Sequence, residues 1–224
     1  LLLALMSQAG VAAVNGIYAA RSGQAVPEGV PKTAWIAMGL QEAVETDNGC
    51  GWYNGYNMHV YEENGYDRQK AQAACIQNIE QSIRRFAHNP RDTVYFFYRK
   101  FVSQWNDPSF ESMLVSEWYS RYTEGKSALA DSLIYGGGRR ILLYGMNLYH
   151  FLFLVCAAAG GWLLLRHWRL DRAYYGLNIF GGFLFHMLWE AKGRYVLVYF
   201  VMLLPIAAAG CEGIMEFIRR RRGK

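Results

Sequence analysis

Acidic side chains are scarce toward the end of this chain. Only four Asp or Glu follow residue 140, against ten Lys or Arg, whereas residues 21–140 hold fourteen acidic and thirteen basic residues. The net charge of +5 over 224 residues is therefore concentrated in the C-terminal part. Basic residues flanking apolar segments speak for membrane orientation rather than nucleic-acid binding, and no nucleic-acid partner is expected. Cysteine is also sparse, with four residues and no CxxC or His/Cys cluster, so nothing indicates a metal site. Cys156 and Cys211 fall in apolar runs and read as small membrane-helix residues. Cys50 and Cys75 fall in the polar middle, where they either pair, if that region is extracytoplasmic, or remain free thiols. The outer segment also lacks a nucleophile–base constellation and a glycine-rich phosphate loop.

What the sequence does have is long uncharged runs. A helix of about 20 apolar residues spans a bilayer. Residues 141–165 and 195–217 meet that length, and 173–189 is shorter but rich in aromatics at both ends. Pro205 lies inside the last run, where neighbouring helices can satisfy the carbonyl it frees. Residues 1–20 are expected to be part of a transmembrane helix; a clipped signal peptide is the alternative. The fold class expected is all-α: a polytopic membrane protein with an extracytoplasmic helical segment, residues 21–140, between transmembrane helices. The basic connection 166–172 and the basic tail 218–224 belong on the cytoplasmic side by the positive-inside rule. The connection near residues 190–194 and the whole 21–140 segment then lie outside, as multi-pass localisation in a cell membrane requires.

Within the outer segment, "KTAWIAMGLQEAV" suggests a short helix lying against the membrane. "DNGCGWYNGYN" (47–57) is a turn-rich loop whose Trp52, Tyr53, Asn54, Tyr56 and Asn57 suit contacts to a sugar, although Trp and Tyr also gather at bilayer interfaces. Residues 67–90 carry Ala74, Ile76, Ile79, Ile83 and Phe86 at helical spacing. Residues 91–108 carry Val94, Phe97, Phe101 and Trp105 on one stripe, and Ser109 is the expected cap of a third helix.

The stretch "FHMLWEAKGRYVLVYFVMLLP" (185–205) sets Glu190, Lys192 and Arg194 between two apolar runs. On a continuous helix His186, Glu190 and Arg194 would share a face, with Glu190 holding Arg194. Arg194 and Lys192 would then present positive charge suited to a phosphate, and Tyr195 a hydroxyl. The simpler reading is a polar turn whose charges reach to water.

Taken in order, "WIAMGL", "GWYNGYN", "YFFYRKFVSQWNDPSFES" and "LWEAKGRYVLVYFVMLLPIAA" resemble the C-terminal part of bacterial family 39 glycosyltransferases, GT-C membrane enzymes related to protein O-mannosyltransferases and aminoarabinose transferases. The resemblance implies transfer of a sugar from a polyprenyl-phosphate-linked donor to a glycan, lipid or protein acceptor outside the membrane. It implies that Arg194, with Lys192, Glu190 and Tyr195, binds the lipid phosphate, and that His186, Lys100, Trp52 and Asn54 face the same cavity or the sugar. The family's acidic catalytic base lies in a first outer loop that these residues do not include, so this chain alone is expected to be inactive. Glu42 and Asp47 do not match that position. A divalent metal occurs in the superfamily, and nothing here commits to one; the cofactor is unknown. A lipid-linked glycan transporter or an assembly subunit is the non-enzymatic alternative.

Overall fold

The computed structural model describes residues 2–26, 28–42, 49–166 and 170–223. Among them the secondary structure is helical, with two isolated backbone bridges and no strand. Asp47 and the centre of the basic 166–172 connection lie outside the described residues.

Among the described residues the segment 21–140 holds six helices that follow α1 (Leu2–Ser22). The first of them, α2 (Thr33–Gly39), is short but central, with Ala34, Ala37 and Met38 fully buried against α3 (Tyr56–Glu63) and α4 (Arg68–His88). The expected membrane-surface helix is thus a core element. Its small residues allow the close approach, and Val60, Cys75 and Ile79 complete the cluster. Asp67 caps α4 by accepting from the Gln69 and Lys70 amides, which satisfies donors that the first helical turn leaves unpaired.

The buried faces of α4 and α5 (Pro90–Trp105) are rotated from those expected. Ala71, Cys75 and Ser82 are buried on α4, whereas Ile76 and Ile83 are exposed. On α5 the buried residues are Phe96, Lys100, Gln104 and Trp105, while Val94 is 71% exposed. Apolar spacing misidentified the α5 face because its buried stripe carries a lysine and a glutamine.

After α5 the Asp107 carboxylate accepts from the Ser109 amide and hydroxyl and from the Glu111 amide. Ser109 is therefore part of a turn and caps nothing; α6 (Ser112–Ser120) starts after Glu111, whose φ is 71°. A further short helix, α7 (Ala128–Ile134), is capped by Ser127 and packs on α8 (Gly137–Arg166).

Two described helices, α8 and α10 (Gly193–Arg222), are long and apolar enough to cross a membrane. The core helix of a soluble protein passes the same test but is mostly buried; in these two only 17% of the apolar window is buried. α10 continues through Pro205. α1 (Leu2–Ser22) and α9 (Leu170–Leu188) are helical where spans were expected, but polar residues such as Gln8 and Asn15 in α1, or Asp171 and Asn178 in α9, dilute them. From Leu5 onward α1 is exposed apart from Ala19.

α8 and α10 run side by side in the same direction. His150 and Phe153 meet Phe200, Gly160 meets Ile206 and Gly210, and Leu163 meets Gly213. α9, which connects them in sequence, runs the opposite way, with Gly182 against Tyr199 and His186 against Tyr195. Trp105, at the end of α5, packs among Phe183, Tyr199 and Phe200 and joins the helices of the 21–140 segment to this group.

Candidate functional site at the α9–α10 turn

The helix does not continue from His186 to Arg194. α9 ends at Leu188, and residues 189–192 form an extended turn before α10. Ala191 is fully buried there: its amide donates to the Gly51 carbonyl at 2.7 Å, and it bridges to Trp52 in parallel. The turn is therefore clamped by the "CGW" stretch (50–52) and does not project into water.

This extended backbone changes the charge pairing from that expected. Glu190 is 2% exposed and pairs with Lys192, Oε1 to Nζ at 3.0 Å. Arg194 pairs instead with Glu111, its Nε 3.3 Å from Oε2 and Nη2 3.4 Å from Oε1. Glu111 is presented by the tight Asp107 turn, and Gly193 lies close against that turn, where an added Cβ would sit 3.2 Å from the Glu111 amide. Nothing in the local sequence pattern around Arg194 points to a partner 83 positions away.

Two cations therefore reach the end of α10 with their carboxylates already in place. Lys192 sits between two rings, its Nζ 5.1 Å from the centroid of Tyr53 and 5.8 Å from that of Tyr195. Arg194 keeps a side chain 54% exposed beyond its pairing with Glu111. Such an arrangement fixes the position of both cations while leaving the arginine and the Tyr53 ring open to an incoming group.

Lys100 lies behind the turn and is fully buried. Its Nζ donates to the Gly39 carbonyl at 2.5 Å, the Trp189 carbonyl at 2.7 Å and the Met187 carbonyl at 3.0 Å. Three acceptors match the three donors of an ammonium, and those carbonyls come from the C-terminal ends of α2 and α9, where helix dipoles favour a cation. Burial pushes the Lys100 pKa down to about 7, opposed by the charges of Cys50 and Glu190. The side chain lies against Gly51, while Gly39 packs on the end of α9. A Cβ on Gly51, whose φ is +73°, would lie 2.7 Å from Lys100 Cε, and one on Gly39 would lie 2.4 Å from the Leu188 carbonyl oxygen. Lys100 is thus enclosed as a tie between helices.

The remaining candidates also hold the scaffold together. Trp52 is buried and its Nε1 donates to Ser103 Oγ at 2.9 Å, which removes it from any sugar surface; the exposed ring of that loop is Tyr53. Asn54 orders the loop, its Oδ1 accepting from the Tyr56 amide and its Nδ2 donating to Gln41. His186 is buried beneath Tyr195, with ring centroids 6.1 Å apart, and edge-on to Tyr199. Its Nδ1 has no hydrogen-bond partner. Cys50 and Cys75 are separate free thiols, both buried, and burial pushes both thiols up in pKa. Among the described residues no group of three or more His, Cys, Asp or Glu is placed to hold a metal. Trp52→Phe removes one buried hydrogen bond and is expected to cost about 1 kcal/mol, measurable as a lower unfolding midpoint in detergent micelles.

Comparison of the chain with protein-family models, with characterised proteins and with solved structures finds no match.

Proposed function

We propose that this chain is the C-terminal part of an integral-membrane glycosyltransferase that moves a sugar from a polyprenyl-phosphate donor to an acceptor on the outer face. The observation carrying the reading is the turn itself: Lys192 and Arg194 stand at the start of an apolar helix of membrane-crossing length, beside the exposed Tyr53 ring. A polyprenyl tail stays in lipid while its phosphate meets that end. Arg194 contacts the phosphate and stabilises the charge that develops as the glycosidic bond to it breaks. Glu111 and Glu190 hold the two cations, and Tyr53 lies against the sugar.

The multi-pass topology rests on helix direction. α8 and α10 point the same way, so a chain crossing in both must return between them, and α9 is the helix that lies there. At about 1.5 Å per residue its 19 residues extend about 28 Å, close to the hydrocarbon thickness of about 30 Å. With Arg219–Arg222 in the cytoplasm, the turn and the outer segment face outward.

A non-enzymatic reading, a transporter or assembly subunit for lipid-linked glycans, has one observation in its favour. Both glutamates at the turn are engaged by cations, so neither is a base ready to activate an acceptor.

Arg194→Ala is expected to weaken binding of a short-chain polyprenyl phosphate to the chain in nanodiscs by about tenfold to a hundredfold, the loss of one charge-assisted contact. Binding of the matching polyprenyl alcohol should not change. Unaltered phosphate affinity would remove Arg194 from the site. Phosphate binding without sugar transfer by the full-length protein would decide for the non-enzymatic reading.

A further inference from the structure

α6 presents an unusual outward face. Its inner side, Glu117 and Ser120, is fastened to the following elements: Arg139 Nη1 lies 2.9 Å from Glu117 Oε2 and 2.9 Å from the Ile134 carbonyl, and Tyr135 OH bonds both the Ser120 hydroxyl and the Glu117 carbonyl. These contacts tie α6 rigidly to the first turn of α8. A helix so fastened normally shows polar residues to water. Here the outward side carries Leu114, Trp118 and Tyr119, exposed by 49%, 52% and 60%, and Tyr122, 73% exposed in the turn that follows α6, joins them. The three rings form one cluster, with Trp118 centroids 4.9 Å from Tyr119 and 5.1 Å from Tyr122.

We infer that this aromatic face is an interfacial anchor that lies in the headgroup region of the lipid bilayer. Three observations select lipid as the occupant. Through the Glu117–Arg139 pair the helix that carries the patch is tied to the start of α8, where Ile141 and Tyr144 are 77% and 71% exposed at the head of an apolar helix. Its composition of two tyrosines and a tryptophan, each with an apolar ring and a polar tip, is that of a bilayer interface. Cationic side chains stand close to it along the chain: Arg121, next to Tyr122 and paired with Glu117, and Arg140 in the first turn of α8. They complement anionic headgroups. The anchor would fix the height of the outer segment above the membrane, and so the depth at which Arg194 meets a lipid phosphate. The inference rests on the proposed crossing by α8, but not on the phosphate site or on any transfer chemistry.

The test places benzoylphenylalanine singly at positions 118, 152 and 83 of the full chain in vesicles of phosphatidylcholine and phosphatidylglycerol, with lipid adducts identified by mass spectrometry after irradiation. Leu152 is exposed midway along α8, and Ile83 is exposed on α4, away from the patch. Position 118 is expected to yield lipid adducts at a level comparable to 152 and well above 83. Absence of adducts at 118 with adducts at 152 overturns the anchor and leaves the crossing intact, as does a protein adduct to a second copy. Absence at both positions overturns the crossing of α8, and the anchor with it.

Discussion

Lys100→Met is expected to detach the outer helices from the α9–α10 turn. The substitution keeps the length of the side chain but withdraws every donor from the Gly39, Met187 and Trp189 carbonyls. Each buried carbonyl left without a donor costs about 1–3 kcal/mol, so the combined loss is a large part of the about 5–15 kcal/mol that stabilises a typical domain. Glu190, buried nearby, also loses a neighbouring positive charge. Lys100→Arg should not rescue the fold, because a branched guanidinium does not fit the space between Gly51 and the Gly39 carbonyl that the ammonium occupies. Limited proteolysis at the exposed arginines of α4, with Lys70→Met as a surface control, measures the effect. Equal resistance of Lys100→Met and the unaltered protein would show that the buried lysine ties nothing together.

The second large effect is expected at Gly160. A Cβ there would sit 1.9 Å from the Ile206 carbonyl oxygen, and one on Gly210 would sit 1.9 Å from the Cys156 carbonyl oxygen. These are backbone contacts, so no rotamer change can relieve them. In a membrane, helices associate through such close approach of small residues rather than through a hydrophobic driving force. Gly160→Leu must therefore part α8 from α10. The adjacent Gly161 faces the apolar cleft between α8 and α9, with nothing within 4 Å of an added Cβ, and Gly161→Leu should be tolerated. The thiols of Cys156 and Cys211 lie within hydrogen-bond reach across the same interface and supply the readout. Oxidative cross-linking between them should be efficient in the unaltered chain and in Gly161→Leu, and lost in Gly160→Leu. Equal yields in all three would contradict the packing.

Much of this arrangement was legible in the residues. Length and apolarity located α8 and α10 within a few positions, and helical spacing with Asn89-Pro90 bounded α4 and α5. The faces of α4 and α5 were harder, because spacing rules assume that buried positions are apolar. Lys100 breaks that assumption by finding three carbonyls supplied by helices remote in sequence, and no local pattern announces such partners. The site was half legible. The charges of 190–194 marked the location, but helical spacing paired Glu190 with Arg194. Clamping of Ala191 by Gly51 makes the stretch extended, and so hands Glu190 to Lys192 and Arg194 to Glu111. Which ring of the 47–57 loop stays open was not legible, because alternation between buried and exposed faces within an irregular loop depends on what packs beneath it: Ser103 holds Trp52 down and Tyr53 is left exposed.

Every functional statement depends on the turn and the outer segment standing on one side of a membrane and the arginine-rich end of α10 on the other. Single cysteines at Tyr66, 62% exposed beside α3, and at Arg221, exposed near the end of α10, probe the two sides. They are to be treated with a membrane-impermeant maleimide in intact cells and again after permeabilisation. The account expects Tyr66→Cys to label in intact cells and Arg221→Cys to label only after permeabilisation. Labelling of both positions from the same side, or the reverse order, would contradict it.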